Sequence, residues 1–119
     1  MADVIGSRSG TFITLPDVWR FTVDASDSER DLIIAVRDYV ATWQPEELSL
    51  LPESCRPGRL TSGEDVADMA YKLSQMHLEF QRDRPRRIAL ERMMVFFVHA
   101  SERFAQLAAR HRPFTQIDG

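Results

Sequence analysis

Five arginines crowd one short stretch of this chain: Arg82, Arg84, Arg86, Arg87 and Arg92. A guanidinium is planar, permanently charged and rich in N–H donors. Several of them beside a helix start, where backbone N–H groups also point outward, could grip a phosphate or an acidic peptide. A DNA-binding helix-turn-helix places such arginines at the opening of its recognition helix. Two features stand against that use. Asp83 and Glu91 dilute the cluster, with Arg87 and Glu91 spaced as an ordinary i,i+4 ion pair. The segment that follows is also too apolar to lie exposed in a groove, and the chain as a whole carries a net charge of −3. Nucleic-acid or phosphate binding through residues 82–92 is therefore the alternative reading, and a solvated charged corner is the simpler one.

Nucleophilic and metal chemistry have less to build on. Cys55 lies in a proline-rich loop beside Arg56, and a neighbouring guanidinium can lower a thiol pKa. No histidine or carboxylate stands at a spacing that would complete a catalytic pair. His77 falls on the apolar face of a helix, where one hydrogen bond at the edge of the core is the expected role rather than general-base work. His99 projects away from the core stripe of its helix, with Glu102 three residues on as a possible partner. His111 sits in the last turn of the same helix, where a cation suits the dipole. No two histidines share an i,i+3 or i,i+4 spacing, and Cys55 has no CxxC companion. Walker, GxGxxG, GxSxG and HExxH patterns are absent. No catalytic residue, metal or cofactor is expected.

The element that must position the arginines runs over residues 83–111. At 100° per residue, Leu90, Met93, Met94, Phe97, Ala100, Phe104, Leu107 and Ala108 gather on one face. Phe96 and Val98 widen that stripe to roughly half the circumference. A helix so apolar must be covered from at least two directions, which makes it the central post of a small bundle. Upstream, Ser26 with Glu29 and Thr61 with Glu64 have capping-box spacing. They predict helices over about 26–43 and 63–81, with a short helical turn within 46–51 between them. The connection 82–84 is short, so the last two helices should pair antiparallel. Residues 11–23 are dense in Phe, Ile, Val, Trp and Thr around Pro16-Asp17 and predict a β-hairpin packed against the helices. Residues 1–10 are expected to be flexible and 113–119 to form a tail.

Some apolar residues are left over once the core faces are assigned. Ile88 and Val95 stand two turns apart on the supposed wet side of the long helix and form a possible interface strip. Ile34 and Ala41, and Tyr71 and Leu78, are left over in the same way on the two preceding helices.

The bulk numbers bound the rest. With 119 residues, 44% of them hydrophobic and 28% charged, the chain is expected to fold as one mainly α domain of three principal helices with the N-terminal hairpin, α+β if that hairpin forms. One cysteine fits a reducing compartment. No signal peptide or apolar run of membrane-spanning length is seen, so a cytoplasmic location is expected. Fourteen arginines against the single Lys72 suggest arginine-favouring codons, as in a GC-rich bacterium. Charge is uneven: residues 1–53 hold ten acidic and four basic side chains (−6), and residues 54–119 hold eight and eleven (+3). Such asymmetry can steer a partner or a second copy. The sequence carries no signature of a family. The function it suggests is a small non-enzymatic, regulatory or protein–protein interaction module, without a membrane partner and open to self-association.

Overall fold

Pro16, Pro45 and Pro85 each stand at the opening of a helix, where a missing N–H removes no intrahelical bond. In the computed structural model, which describes residues 14–110, five helices follow in order. They are α1 (Asp17–Asp24), α2 (Glu29–Ala41), the short α3 (Pro45–Leu48), α4 (Gly63–Glu79) and α5 (Arg84–Arg110), with a 3₁₀ turn at Glu53–Cys55 between α3 and α4. No strand occurs among the described residues, and none of their helices is long and apolar enough to cross a membrane.

The long helix is the post that its sequence requires. α5 packs against α1, α2 and α4. Its Leu90, Met93, Phe96, Phe97 and Ala100 have no exposed surface. Facing them are Leu32 and Val36 from α2 and Val66 and Leu73 from α4, likewise fully enclosed. Phe96 lies nearer the centre of the aromatic packing than the stripe on the helix suggested. Its ring stacks on Tyr39 (3.9 Å between centroids, 11° between planes) and meets Trp19 and Phe97 edge-on. One aromatic cluster thus ties α1, α2 and α5 together.

The N-terminal hairpin is not what forms. Residues 17–24 are helical, so the expected second strand is α1; residues 11–13 of the first lie outside the described residues. The reason is visible at Pro16, whose carbonyl accepts from the N–H groups of Trp19 (3.0 Å) and Arg20 (3.1 Å) and opens a helical turn. A strand would have put Trp19, Phe21 and Val23 on one face. The helix turns Trp19 and Val23 inward and leaves Phe21 outside. Packing outweighs β propensity here.

Both predicted caps are displaced. Ser28, not Ser26, caps α2 by accepting from the Asp31 N–H (3.1 Å). Ser26 belongs to the exit of α1, where its hydroxyl donates to the Thr22 carbonyl (3.2 Å). At α4 the reciprocal pair is Ser62 and Asp65 rather than Thr61 and Glu64. One Asp65 oxygen accepts from Ser62 N–H (3.2 Å), Thr61 N–H (2.8 Å) and the Thr61 hydroxyl (3.1 Å). The helix ends differ from expectation by three residues or fewer, the largest differences being the start of α2 at Glu29 and the end of α3 at Leu48.

Candidate interaction surface

The five arginines do not form one cluster. Arg92 stands two turns along α5 and turns to a different neighbourhood. Its guanidinium lies 3.0 Å from Glu47 Oε2 and 4.3 Å from the centre of the Trp43 ring. Arg86 folds back on the opening of its own helix. Its Nε lies 3.2 Å from Asp83 Oδ2, and its guanidinium lies over the Phe80 ring. Asp83 also accepts from the Arg86 backbone N–H (3.4 Å), so this acid caps the helix as well as offsetting the corner. Arg87 reaches Glu91 at 3.6 Å, the pair that the spacing implies. Arg82 and Arg84 are exposed, with no carboxylate within 4 Å among the described residues.

The titratable candidates hold structural positions. His77 Nε2 lies 2.8 Å from Glu91 Oε2, both side chains largely covered, and the pair bolts α4 to α5. That is the edge-of-core hydrogen bond expected of it. His99 pairs with Asp24 of α1 at 2.8 Å rather than with Glu102. One turn further along, Arg103 donates from Nε (3.0 Å) and Nη2 (2.7 Å) to the Ser26 carbonyl, so the exit of α1 is moored twice on α5. Cys55 is fully buried, its Sγ 3.7 Å from the Lys72 carbonyl, and burial pushes its thiol pKa up. A thiol raised in that way is a poor source of thiolate. His111 lies outside the described residues.

The apolar strip proposed from the sequence is partly covered. Val95 packs against the core and lines a cleft of ≈ 370 Å³ with Trp19, Tyr39 and Arg92; Ile88 is half-buried. Burial raises the Tyr39 pKa, and its hydroxyl donates to the Arg92 carbonyl (3.1 Å). Glu47 is held below the usual carboxylate range, first by the Gln44 N–H (2.8 Å) and then by Arg92. At this cleft the Tyr39 hydroxyl and the Arg92 guanidinium are thus already engaged, the latter with Glu47.

Exposed apolar surface gathers elsewhere. Phe21 is 77% exposed, Val18 on the same side of α1 is 64% and Ile34 of α2 is 48%. Phe21, Ala25, Ile34 and Ala35 line a groove of ≈ 400 Å³ between α1 and α2, and the charged groups on its wall are Asp31 and Asp38. These acids stand two turns apart on one face of α2, about 10.5 Å at 1.5 Å per residue. Neither has a basic partner within 4 Å among the described residues. On the other side of Ile34 a hollow of ≈ 460 Å³ is bounded by Glu29, Arg37 and Thr61. Two of its charged groups are already engaged, since Glu29 accepts from the Gly63 N–H (2.6 Å) and Arg37 donates to the Leu60 carbonyl (3.0 Å).

The i, i+3, i+7 spacing of Asp31, Ile34 and Asp38 is the signal that could find this face, but of the three only Ile34 stands out in the sequence, as a leftover apolar residue. Phe21 and Val18 were missed because a strand would have shared them between the core and the edge of a hairpin. Compared with known proteins, the chain matches no family model, no curated protein and no solved structure.

Proposed function

We propose that this chain is a small, non-enzymatic protein–protein interaction module whose docking surface is the groove between α1 and α2. The observation that carries the reading is the exposure of Phe21 and Ile34 in a groove walled by two carboxylates, with Val18 bare one turn before Phe21 on α1. Large apolar side chains left bare in a contiguous patch cost solubility, and such patches commonly mark partner surfaces. The lone thiol of Cys55 supports a reducing compartment, the cytoplasm, and the arginine bias supports a GC-rich bacterial source.

Retention of host proteins on the immobilised full chain tests this reading. A protein held by the wild type should be lost with Phe21→Asp, whose side chain adds a third carboxylate to the groove. Equal retention by both proteins would overturn the assignment of this surface.

A second reading is favoured by Arg82 and Arg84, which are exposed beside the start of α5 without a carboxylate partner among the described residues. It is the binding of nucleic acid or phosphate at this corner. Retardation of DNA or RNA at low salt, with a salt slope flattened by about two in the Arg82→Ala, Arg84→Ala protein, would support it. No retardation at low salt would remove it.

A further inference from the structure

We propose that the acidic groove between α1 and α2 receives the arginine corner of a second copy of this chain. The proposal rests on the interaction reading above and names the partner. The two surfaces complement each other in the same two respects. The groove offers an apolar floor, Phe21 and Ile34, between the carboxylates Asp31 and Asp38. The corner offers an apolar tip, Leu78, 65% exposed in the last turn of α4, with Arg82 four residues on and Arg84 beyond it. All four charged groups lack an opposite charge within 4 Å among the described residues. Arg86 and Arg87, by contrast, are paired with acids of their own helix and its cap.

One molecule cannot make this contact with itself. The exit of α1 is moored at His99 and Arg103. These residues lie fifteen and nineteen positions along α5 from Arg84, or about 22 and 28 Å at 1.5 Å per residue. That separation is well beyond the reach of an arginine side chain, so the groove of one copy meets the corner of another. The charge of the whole chain favours this orientation, because the half containing the groove is net −6 and the half containing the corner net +3. The contact joins two different patches, so it is head-to-tail rather than two-fold.

Sedimentation of the full chain tests the proposal. At low salt, the mean mass should rise as concentration enters the high-micromolar range, and it should return to that of one chain when salt screens the charges. Phe21→Asp blocks the groove and keeps the corner; Leu78→Asp blocks the corner and keeps the groove. Each should remain a monomer alone, and an equal mixture should give a species of two chains and none larger. Both positions are exposed, so their melts should match the wild type. If either variant melts early, Asp38→Lys and Arg82→Glu take their places with the same expectation for each alone.

A wild type that stays monomeric at low salt throughout this range overturns the proposal, as does a blocked variant that grows like the wild type. A mixture that stays monomeric overturns it too, because it still holds one intact corner and one intact groove, which is all that a head-to-tail contact needs. If the wild type is monomeric yet retains a host protein that Phe21→Asp does not, this proposal falls and the interaction reading stands. If no protein is retained either, both fall.

Discussion

The middle of α5 and the groove between α1 and α2 are both lined with large apolar side chains, but only the first is covered. Phe97 has no exposed surface, held between Phe96 and the neighbouring helices, while Phe21 shows more than three-quarters of its surface. The same side chain therefore does two unrelated things. In α5 its burial supplies stability, on the order of 25 cal/mol for each Å² removed from water. In the groove its exposure supplies none and leaves that apolar area available to a partner. Polar neighbours follow the same division. The caps and bolts around α5 are mutually engaged, as in His77 with Glu91, whereas Asp31 and Asp38 face the groove without a cation among the described residues.

The largest expected effect tests the covered side. Phe97→Ala should cost about 3–5 kcal/mol in a urea melt, because the helices around the post cannot collapse into the space. A loss below about 1 kcal/mol would place the centre of the core elsewhere. Next comes the approach of α4 to α5. A Cβ at Gly63 would overlap the Phe104 ring, so Gly63→Ala must push that aromatic aside. A destabilisation of about 1–3 kcal/mol is expected, and an unchanged melt would mean that the ring moves freely.

The cap of α4 gives a pH-dependent effect. Hydrogen bonds from Thr61, and secondarily from Ser62, hold the Asp65 carboxyl below its ordinary value of 3.8. The folded state thus favours the ionised form, and the cap's contribution is present above that value. It is lost as pH falls toward the lower folded value. Melts of the wild type in acid should steepen over that interval, and Asp65→Asn should flatten the limb while lowering stability at neutral pH. Identical acid limbs would remove Asp65 as its source.

The smallest expected effect belongs to the groove. Phe21→Asp should move stability by no more than about 0.5 kcal/mol, as substitutions at exposed positions do. A loss comparable with that of Phe97→Ala would break the comparison and make Phe21 a core residue.

The helical architecture was legible because its signals are periodic and long. The stripe through Leu90, Met93, Phe97 and Ala100 and the short link at 82–84 identify the post and its antiparallel neighbour from spacing alone. The caps were less legible. Ser26 and Ser28, or Thr61 and Ser62, are near-equivalent as chemistry, and tertiary contacts decide which one turns inward. α1 was illegible for a different reason. At eight residues it is too short for its period to overrule β-branched and aromatic composition, and its helical form depends on Trp19 finding Tyr39 and Phe96. The candidate surface inherited that error. The half on α2 could be read from Asp31, Ile34 and Asp38, and the half on α1 could not. In the sequence the arginines read as one cluster, because proximity along the chain cannot show that Arg92 turns toward Glu47, forty-five residues away.

Glu29 carries a consequence for how the molecule comes apart. It stands in the first turn of α2, where a negative charge suits the helix dipole, and its carboxylate also accepts from the first N–H of α4. One side chain thus serves the positive ends of two helices thirty-four residues apart in the chain. If the N-terminal helices let go, α4 loses an acceptor at its buried first residue; if α4 frays, α2 loses the contact that fixes its opening acid. Neither half can melt without exposing a defect in the other, and the described helices are expected to unfold in a single cooperative transition.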